Sequence, residues 1–462
     1  MKELTKPNFM KRLYYTLVLF LIFTASFAQH TFERQYPYYN QAYGNIVFTN
    51  NDGYTIAGAG EKDSLVGLIL IKTNLPGDTL WTRIHDVGFS SLGDIYGSFD
   101  EVGNMYFGIS GENNNVVKVN SAGIIEWIKP ISLSPQLVHF NNNVLWVCTQ
   151  GQYIYRFDPV TGDSLWRSNS FHDQDNSRAT SIAVTEDGVV SLTISDINGY
   201  TGFLNASEMY MLPLNADNLV QYTIPVPNNI IFSDSKATGN QIISVGFPDF
   251  FAQEQNIGYF ARYSSDGTLH SYQEVIVPNE EGGFIKVNIN NEGQVIALGH
   301  CFNNDVFNIF MRSMTIEGDS LWTSVIEPEI SVFAGDLKVA DDGGYVISAT
   351  IDNDIHSQPY LIKTDSQGII TGTNVIAPWS NLKVYPNPAK DFITIKYDLF
   401  SKKDKPFIYI VDQSGKLVTS VSERKAQDQM IIDTRSLKPG NYYIQLIQGG
   451  KLLANSRFTI VN

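Results

Sequence analysis

The segment IFMRSMTIEGDSLW (309–322) places a glycine-containing turn between two runs of alternating apolar residues. Asp, Asn or Gly at a turn between such runs is the sequence signal for a tight β-hairpin. The pattern recurs in six more segments: LILIKTNLPGDTLW (68–81), VVKVNSAGIIEW (116–127), YIYRFDPVTGDSLW (153–166), MYMLPLNADNLVQY (209–222), YFARYSSDGTLHSY (259–272) and YLIKTDSQGIITG (360–372). One hairpin is therefore repeated over most of the chain.

A second hairpin precedes each copy of the first, and its turns mark units of about 50 residues. The turn marks are Gly53, Gly103, Asn143, Gly188, Gly239, Gly293 and Gly344. Units of four short strands without helical periodicity are typical of a β-propeller, in which neighbouring blades bury each other's apolar faces. We therefore predict an all-β chain with a seven-bladed β-propeller over residues 29–376. A parallel β-helix is the alternative, but its coils are much shorter than these units.

Four tryptophans occupy the same place after the turn of the repeated hairpin: Trp81, Trp127, Trp166 and Trp322. We predict that this place opens the outer strand of a blade and that the indole ring wedges between adjacent blades. The segment TFERQYP (31–37) is similar to an isolated outer strand. We expect it to close the ring by completing the last blade.

Composition excludes several classes of protein. The chain has 47 acidic and 32 basic residues, a net charge of −15, which argues against a main body that binds nucleic acid. The termini are basic, so the acidity lies in the middle of the chain. Two cysteines in 462 residues exclude a disulfide-built scaffold. We predict that Cys148 and Cys301 are buried thiols on opposite sides of the ring.

Residues 1–28 have the features of a secretory signal peptide. A basic pair precedes a short apolar run (13–23), and the small residues Ser26 and Ala28 fit the positions before a cleavage site. We therefore predict cleavage between Ala28 and Gln29. The run is roughly half the length needed to cross a bilayer, and no later segment reaches that length, so we predict no transmembrane segment in the mature chain.

The tail combines a YPNP tetrapeptide, a central hairpin, a KPGNYY turn and a β-rich ending. It resembles the type A C-terminal sorting domain of substrates of the bacterial type IX secretion system. The residues that carry the resemblance are Tyr385, Pro386, Asn387, Pro388, Asp412, Gly415, Leu437, Pro439, Gly440, Tyr442, Tyr443, Lys451 and Phe458. Its alternating apolar residues predict a small Ig-like β-sandwich over 385–462, joined to the propeller by a linker at 377–384. We expect the prolines to hold the entry extended and to keep the linker out of strand pairing.

The resemblance implies a route and partners. The chain would enter the periplasm and cross the outer membrane, handled by the type IX secretion machinery. A sorting peptidase would remove the tail, and the body would then be attached to the cell surface or released.

Motifs for chemistry are sparse. No HExxH, GxSxG, P-loop or dinucleotide fingerprint occurs, so the sequence predicts no catalytic, cofactor-binding or metal-ligating residue. Calcium is the one ion with candidate loops. The segment His172–Asn176 has oxygen ligands at alternate positions but lacks the turn glycine and the distal Glu, and Asp352–Asp354 is a weaker candidate.

Two further patterns describe turns. DPVTGDSLW (158–166) resembles the blade repeat of pyrroloquinoline-quinone propellers, which in enzymes implies eight blades and an adjacent cysteine pair. Seven units and two distant cysteines leave it as a mark of blade construction. Asp-Ser-Leu or Asp-Thr-Leu, at 63–65, 78–80, 163–165 and 319–321, resembles the O-glycosylation sequon of bacteria with this secretion route. Turn chemistry explains these tripeptides, with glycosylation as the alternative at Ser64.

These observations predict an exported propeller that acts as a binding or scaffold module for an unknown glycan or protein, through loops at one mouth of the ring. The alternative is an extracellular enzyme that degrades polysaccharide or peptide with carboxylates in the central funnel. A spacer of the cell envelope is a third hypothesis. The side chains that line the funnel discriminate among the three, and the sequence does not identify them.

Overall fold

The computed structural model describes most of the chain after the predicted signal peptide. It covers residues 30–461 except 90–91, 94, 151–152, 171–176, 198–203, 214–219, 223–229, 249–255, 279–280, 304–305, 329, 353–355, 372–381, 398–406, 414–415, 423–428 and 449–450. Regular structure in this part is entirely β-strand. None of the described residues forms a helix that could span a membrane.

The propeller strands alternate with short turns along the chain. They are β1 (Phe32–Gln35), β2 (Gln41–Ala42), β3 (Ile46–Asn50), β4 (Gly53–Lys62), β5 (Leu65–Asn74), β6 (Thr79–His85), β7 (Ile95–Phe99), β8 (Met105–Ile109), β9 (Asn115–Val119), β10 (Ile125–Pro130), β11 (Pro135–Asn141), β12 (Val144–Thr149), β13 (Tyr153–Phe157), β14 (Ser164–Arg167), β15 (Ser177–Val184), β16 (Val189–Ile197), β17 (Leu204–Pro213), β18 (Val220–Tyr222), β19 (Ile230–Thr238), β20 (Gln241–Pro248), β21 (Ile257–Ser264), β22 (Leu269–Ile276), β23 (Glu281–Ile289), β24 (Val295–Asn303), β25 (Val306–Met314), β26 (Ser320–Ile326), β27 (Val332–Val339), β28 (Tyr345–Asp352) and β29 (Ser357–Thr364).

Within the described residues these strands form seven antiparallel sheets, which we number as blades. Blade 1 contains β2–β6, with β2 and β3 both paired to β4. Blades 2 to 6 follow in chain order as β7–β10, β11–β14, β15–β18, β19–β22 and β23–β26. Blade 7 contains β27, β28, β29 and, from the other end of the chain, β1.

The first strands of the blades meet around a ring. Contacts run from β3 to β7, β11, β15, β19, β23 and β27, and β27 contacts β3 again. Each blade therefore packs on the next with its first strand innermost, which is the architecture of a β-propeller. The prediction of an all-β propeller is confirmed, and the β-helix alternative is wrong.

The N-terminal strand closes the ring, as predicted. β1 pairs antiparallel with β29, with Phe32 opposite Lys363. The strand is also fastened to blade 1, because the hydroxyl of Tyr36 donates to the carbonyl oxygen of Gly77 at 2.8 Å. Phe32 is 5% exposed and packs against the same glycine. Blade 7 is thus built from both ends of the propeller.

The turn marks lie between the first and second strands of the blades, and one of them needs a correction. The backbone at Gly293 has a φ of +76°, a left-handed conformation that glycine adopts without the strain imposed by a Cβ atom. In the last unit the positive φ of +80° belongs to Gly343 and not to the predicted Gly344. The double glycine made the register ambiguous by one residue.

The four repeat tryptophans lie where the sequence predicted. Each is the third residue of an outermost strand and is half-buried. The indole ring of one blade packs against the turn glycine of the next blade so closely that a Cβ atom there would lie under 3 Å away, in the pairs Trp81 with Gly123, Trp127 with Gly162 and Trp322 with Gly368. The indole ring therefore lies wedged between two blades, and the contacted position of the neighbouring turn must be a glycine.

The two cysteines lie in different blades. Cys148 belongs to β12 in blade 3 and Cys301 to β24 in blade 6, and both are buried. Burial raises the pKa of the Cys148 thiol to about 12, so it stays protonated at neutral pH.

The tail forms a small sandwich of two antiparallel sheets, which confirms the predicted Ig-like fold. Its strands are β30 (Lys383–Tyr385), β31 (Phe392–Lys396), β32 (Phe407–Asp412), β33 (Leu417–Ser422), β34 (Gln429–Asp433), β35 (Gly440–Gln448) and β36 (Lys451–Ile460). One sheet has the order β30-β31-β34 and the other β33-β32-β35-β36. Inward-facing residues such as Ile393, Ile395, Ile408, Ile444 and Phe458 form the core between them.

The entry to the sandwich differs from the expectation. β30 begins at Lys383, two residues before the predicted boundary, and pairs with β31 as far as Tyr385 opposite Thr394. The expectation that the prolines keep this segment out of strand pairing is wrong. A proline removes only its own N–H group, so residues before Pro386 can still pair. The 385–386 and 387–388 peptide bonds are both cis.

Candidate functional site

The centre of the ring contains a cavity of about 430 Å³. The innermost strands of all seven blades contribute residues to its lining: Ile46 and Phe48 from β3, Tyr96 and Phe99 from β7, Val138, His139 and Phe140 from β11, Ile182 from β15, Asp234 and Lys236 from β19, Lys286 from β23, and Asp336 and Lys338 from β27. This central cavity is the candidate ligand site.

The lining is divided by chemistry. Blades 5 to 7 supply the lysines and aspartates, whereas blades 1 to 3 supply aromatic and aliphatic side chains together with the uncharged polar residues Asn45, Ser98 and His139. Each of the strands β19, β23 and β27 has a register irregularity immediately before a charged residue of the cavity, Asp234, Lys286 or Asp336. A β-bulge changes the direction of the side chains that follow it. The bulges thus help to set the charged side of the cavity.

The two aspartates hold adjacent blades together. The Asp234 carboxylate accepts the backbone N–H of Val287, on the next innermost strand, at 3.0 Å. The Asp336 carboxylate accepts the N–H of Val47, on β3, at 3.3 Å. Bonds of this kind from one innermost strand to the next satisfy backbone donors that no strand partner reaches.

Asp336 is ionised and paired. Its carboxylate lies 2.6 Å from the ammonium nitrogen of Lys338 and accepts the N–H of Leu337 at 2.8 Å. Burial alone would raise the pKa of this carboxyl group, but the nearby Lys338 and Lys286 outweigh burial and lower it. A general acid needs a raised pKa. The environment of Asp336 therefore favours a fixed charge over proton transfer.

Two further groups in the cavity have pKa values shifted against charge. Burial lowers the pKa of Lys236, and the charges of Lys338 and Lys286 lower it further, against the opposing effect of Asp234. Burial, with the repulsion of Lys236 and Lys338, lowers the pKa of His139 to about 3, so this imidazole is neutral at physiological pH. Its Nε2 atom is buried and has no hydrogen-bond partner among the described residues.

The cavity carboxylates and the predicted calcium loops are the remaining candidates for metal binding. Both carboxylates are engaged by backbone N–H groups, and no cluster of three His, Cys, Asp or Glu side chains that could hold a metal ion occurs in the described part of the chain. The predicted calcium loop His172–Asn176 lies outside the described residues, and of the segment 352–354 only Asp352 is described. Calcium binding at these loops stays a prediction.

The sorting motif contacts the last strand of the sandwich. The Asn387 side chain donates to the carbonyl oxygen of Arg457 at 3.2 Å and accepts the N–H of Thr459 at 3.0 Å. Ala389 continues the contact, donating its N–H to the oxygen of Thr459 and accepting from Val461 at 2.9 Å. The YPNP segment and the chain ending therefore form one structural unit, although more than 60 residues separate them.

The KPGNYY turn joins the same unit. The Tyr442 ring packs on Phe458 with 5.7 Å between centroids, and its hydroxyl donates to the oxygen of Lys438 at 2.8 Å. Gly440 begins β35, and Pro439 is exposed just before it. The structure thus brings Asn387 and Tyr442 into contact with β36, Asn387 on either side of Phe458 and Tyr442 at Phe458 itself.

Other predicted residues cannot be placed in this way. Gly415, Ala28 and Gln29 lie outside the described residues. Lys451 is the first residue of β36, and the structure describes its backbone only. Their roles in cleavage and sorting stay predictions.

The possible glycosylation residue is accessible. Ser64 lies with Asp63 in the turn between β4 and β5, and both are exposed with positive φ values of +69° and +50°. This conformation fits the turn interpretation. Glycosylation at Ser64 stays a prediction.

The sequence predicted a central funnel but did not identify the residues that line it. The charged residues form short alternating patterns, Asp234-Ser-Lys236 and Asp336-Leu-Lys338, at the same place in two units. Alternation of charge within a first strand places both side chains on one face of that strand. This pattern could have indicated the charged side of the cavity. It can be interpreted only when the first strands are known to surround a cavity.

Comparison with known families identifies the tail. A family model described as "Secretion system C-terminal sorting domain" matches residues 383–461. The resemblance is confirmed: the chain carries a type IX sorting domain behind a β-propeller. This domain directs secretion through the type IX system to the outer cell surface or the extracellular space.

One curated protein matches a short part of the chain. The organic hydroperoxide resistance protein-like 2 of Staphylococcus saprophyticus is 39% identical over 92 residues, which are 20% of this chain and 57% of that protein. The chain thus spans just over half the length of this curated relative.

Two solved structures are also similar to the chain. One is BamB from Moraxella catarrhalis, with 11% identity and a TM-score of 0.42 over 69% of this chain and 94% of that chain. The other is the WD40 β-propeller domain of Doa1, with 11% identity and a TM-score of 0.48 over 70% of this chain and 93% of that chain.

Proposed function

We propose that this exported propeller is a binding module, whose central cavity holds a ligand outside the cell without chemistry of its own. The observation that supports the proposal is the cavity of about 430 Å³, lined from all seven blades by apolar and charged side chains. Small-molecule sites are concave and carry placed polar groups that fix the orientation of the ligand. A rigid ring of sheets provides such a site without a conformational change.

The charge chemistry supports binding over hydrolysis. Hydrolysis of a glycoside uses one carboxyl group with a raised pKa and a second carboxylate. In the cavity the pKa of Asp336 is lowered, and Asp234 is engaged by the next blade. The proposed partner is a glycan or another small ligand, and a protein that inserts a side chain into the cavity is the remaining possibility within the same function.

The test is ligand-dependent stabilisation of the full exported chain. The ligand set comprises neutral and acidic oligosaccharides, calcium and pyrroloquinoline quinone. A ligand present at a hundred times its dissociation constant should raise the free energy of unfolding by about 2.7 kcal/mol. The same mixtures are analysed for product, since turnover of a glycan would support the enzyme hypothesis and contradict ours.

A pair of matched variants tests the place of binding. Ile182→Phe enlarges a side chain that lines the cavity, whereas Ile276→Phe makes the same change at a residue of β22 that is 72% exposed. We expect the stabilisation by ligand to be lost in the first variant and kept in the second. Stabilisation that persists in both would refute binding in the cavity.

A further inference from the structure

We propose that the central cavity selects a small anion, a carboxylate or phosphate carried on a ring, and holds its charge with Lys236, Lys286 and His139. The inference rests on the proposed binding function and names the class of ligand. It follows from the partners of each charged group, the division of the lining and the size of the cavity.

The ammonium groups of Lys236 and Lys286 differ from those of the buried lysines of the propeller, which form ion pairs. Elsewhere in the propeller, Lys72 lies 2.6 Å from Asp52, Lys118 lies 2.9 Å from Glu126 and Lys363 lies 2.9 Å from Asp342. Lys236 and Lys286 make no hydrogen bond or ion pair of this kind with any described residue. Lys236 and Lys286 are half-buried. The charges of Asp234 and Asp336 act on Lys236 without forming an ion pair with it, so an anion that reached both lysines would gain from pairing with them.

The aspartates in the cavity do not fill this role. Asp336 is committed to Lys338 at 2.6 Å and to two backbone N–H groups. Asp234 is committed to the backbone of the next blade. The lining therefore holds three lysines and two aspartates, inside a protein whose net charge is −15. Basic side chains outnumber acidic ones in the cavity, whereas acidic residues outnumber basic ones in the whole chain.

The lysines are close enough to affect one another. The charges of Lys338 and Lys286 both lower the pKa of Lys236, and the charges of Lys236 and Lys338 lower that of His139. A bound anion would reverse this repulsion and would accept hydrogen bonds from the ammonium groups. The buried Nε2 of His139, which has no partner among the described residues, adds a third polar atom for the ligand.

The opposite side of the cavity indicates a ring. Phe48, Tyr96, Phe99 and Phe140 line it from blades 1 to 3. Aromatic side chains bind flat, apolar faces by packing and by their quadrupole. A ligand that uses both sides must carry its negative charge at one end and a ring at the other. The volume of about 430 Å³ suits a single ring with its acidic group.

The experiment is isothermal titration of the full exported chain with four probes. Glucuronate has a sugar ring and a carboxylate, glucose has the ring alone, benzoate has an aromatic ring and a carboxylate, and inorganic phosphate has charge without a ring. Lys236→Met and Lys286→Met remove one charge each at nearly constant length. Lys62→Met makes the same change at an exposed residue at the end of β4, outside the cavity.

We expect glucuronate or benzoate to bind more tightly than phosphate, and glucose not to bind. Each cavity variant should weaken the binding by about tenfold or more, because a charge-assisted bond is lost, whereas Lys62→Met should leave it unchanged. Glucose that binds as well as glucuronate would overturn the inference, and so would anion binding that the cavity variants do not weaken. If only neutral ligands stabilise the chain, the anion class is wrong and the binding function stands. If nothing in either set binds, both fail.

Discussion

Acidification should weaken the propeller through His300, on β24 of blade 6. Its Nε2 atom accepts the backbone N–H of Ala334, on β27 of blade 7, at 2.7 Å. The ring also contacts Phe333, with 6.0 Å between centroids. Burial lowers the pKa of this histidine from 6.5 to about 4. Protonation would place a hydrogen on the accepting nitrogen and would break the bond between the blades.

The expected loss of folding stability follows from the pKa shift of His300. One pKa unit corresponds to about 1.4 kcal/mol of free energy, so a shift from 6.5 to about 4 corresponds to about 3 kcal/mol. Because the pKa of the folded state lies below that of the unfolded state, the unfolded chain takes up the proton first as the pH falls. The contribution of His300 is therefore complete above pH 6.5 and is lost progressively as the pH falls to about 4.

Urea unfolding of the wild type and two variants measures this loss. His300→Gln keeps a side-chain acceptor but cannot titrate. Between pH 6.5 and about 4 the variant should therefore lose about 3 kcal/mol less of its free energy of unfolding than the wild type loses. His270→Gln removes an exposed histidine of β22 and should follow the wild type. Equal pH dependence in all three proteins would refute the assignment of the titration to His300.

Three more predictions concern other parts of the molecule. Trp127→Ala should lower the free energy of unfolding by about 3 kcal/mol, since the indole packs between its own blade and Gly162 of the next; urea unfolding measures it, and an unchanged midpoint would contradict the wedge. Asn387→Ala should speed amide exchange at Thr459, because the side chain that accepts that N–H is lost; exchange at the wild-type rate would count against this contact. Deletion of residues 383–461 should leave the propeller in the periplasm, as cell fractionation would detect, and its normal appearance outside the cell would refute the sorting role.

Much of the fold could be predicted because its signals are local. A hairpin turn needs particular residues at adjacent positions, so the alternation and the glycines identify units without knowledge of their neighbours. The closing strand was predictable for the same reason, since TFERQYP (31–37) is similar to an outer strand that lacks its own hairpin. The errors were also local. The double glycine at 343–344 displaced one predicted turn by a residue. The prolines at 386 and 388 led to the wrong expectation that the residues before them form no strand.

The cavity could not be predicted in this way. Its lining comes from strands as far apart as β3 and β27, so the residues that share it are separated by almost 300 positions. Which faces of those strands point to the centre depends on bulges that no short motif specifies. The pairing of Asp336 with β3 exists only after the ring has closed. The cavity forms only when distant strands close the ring, whereas the residues of the local turns determine the blades.

The closure of blade 7 has a consequence outside the cell. With the predicted cleavage between Ala28 and Gln29, the outermost strand of this blade, β1, begins at the fourth residue of the exported chain, Phe32. Trimming past this residue would remove the partner of β29 and uncover an edge ready to pair with another chain. It would also remove the aromatic ring that packs on Gly77. The integrity of blade 7 therefore depends on a few residues close to the predicted cleavage position.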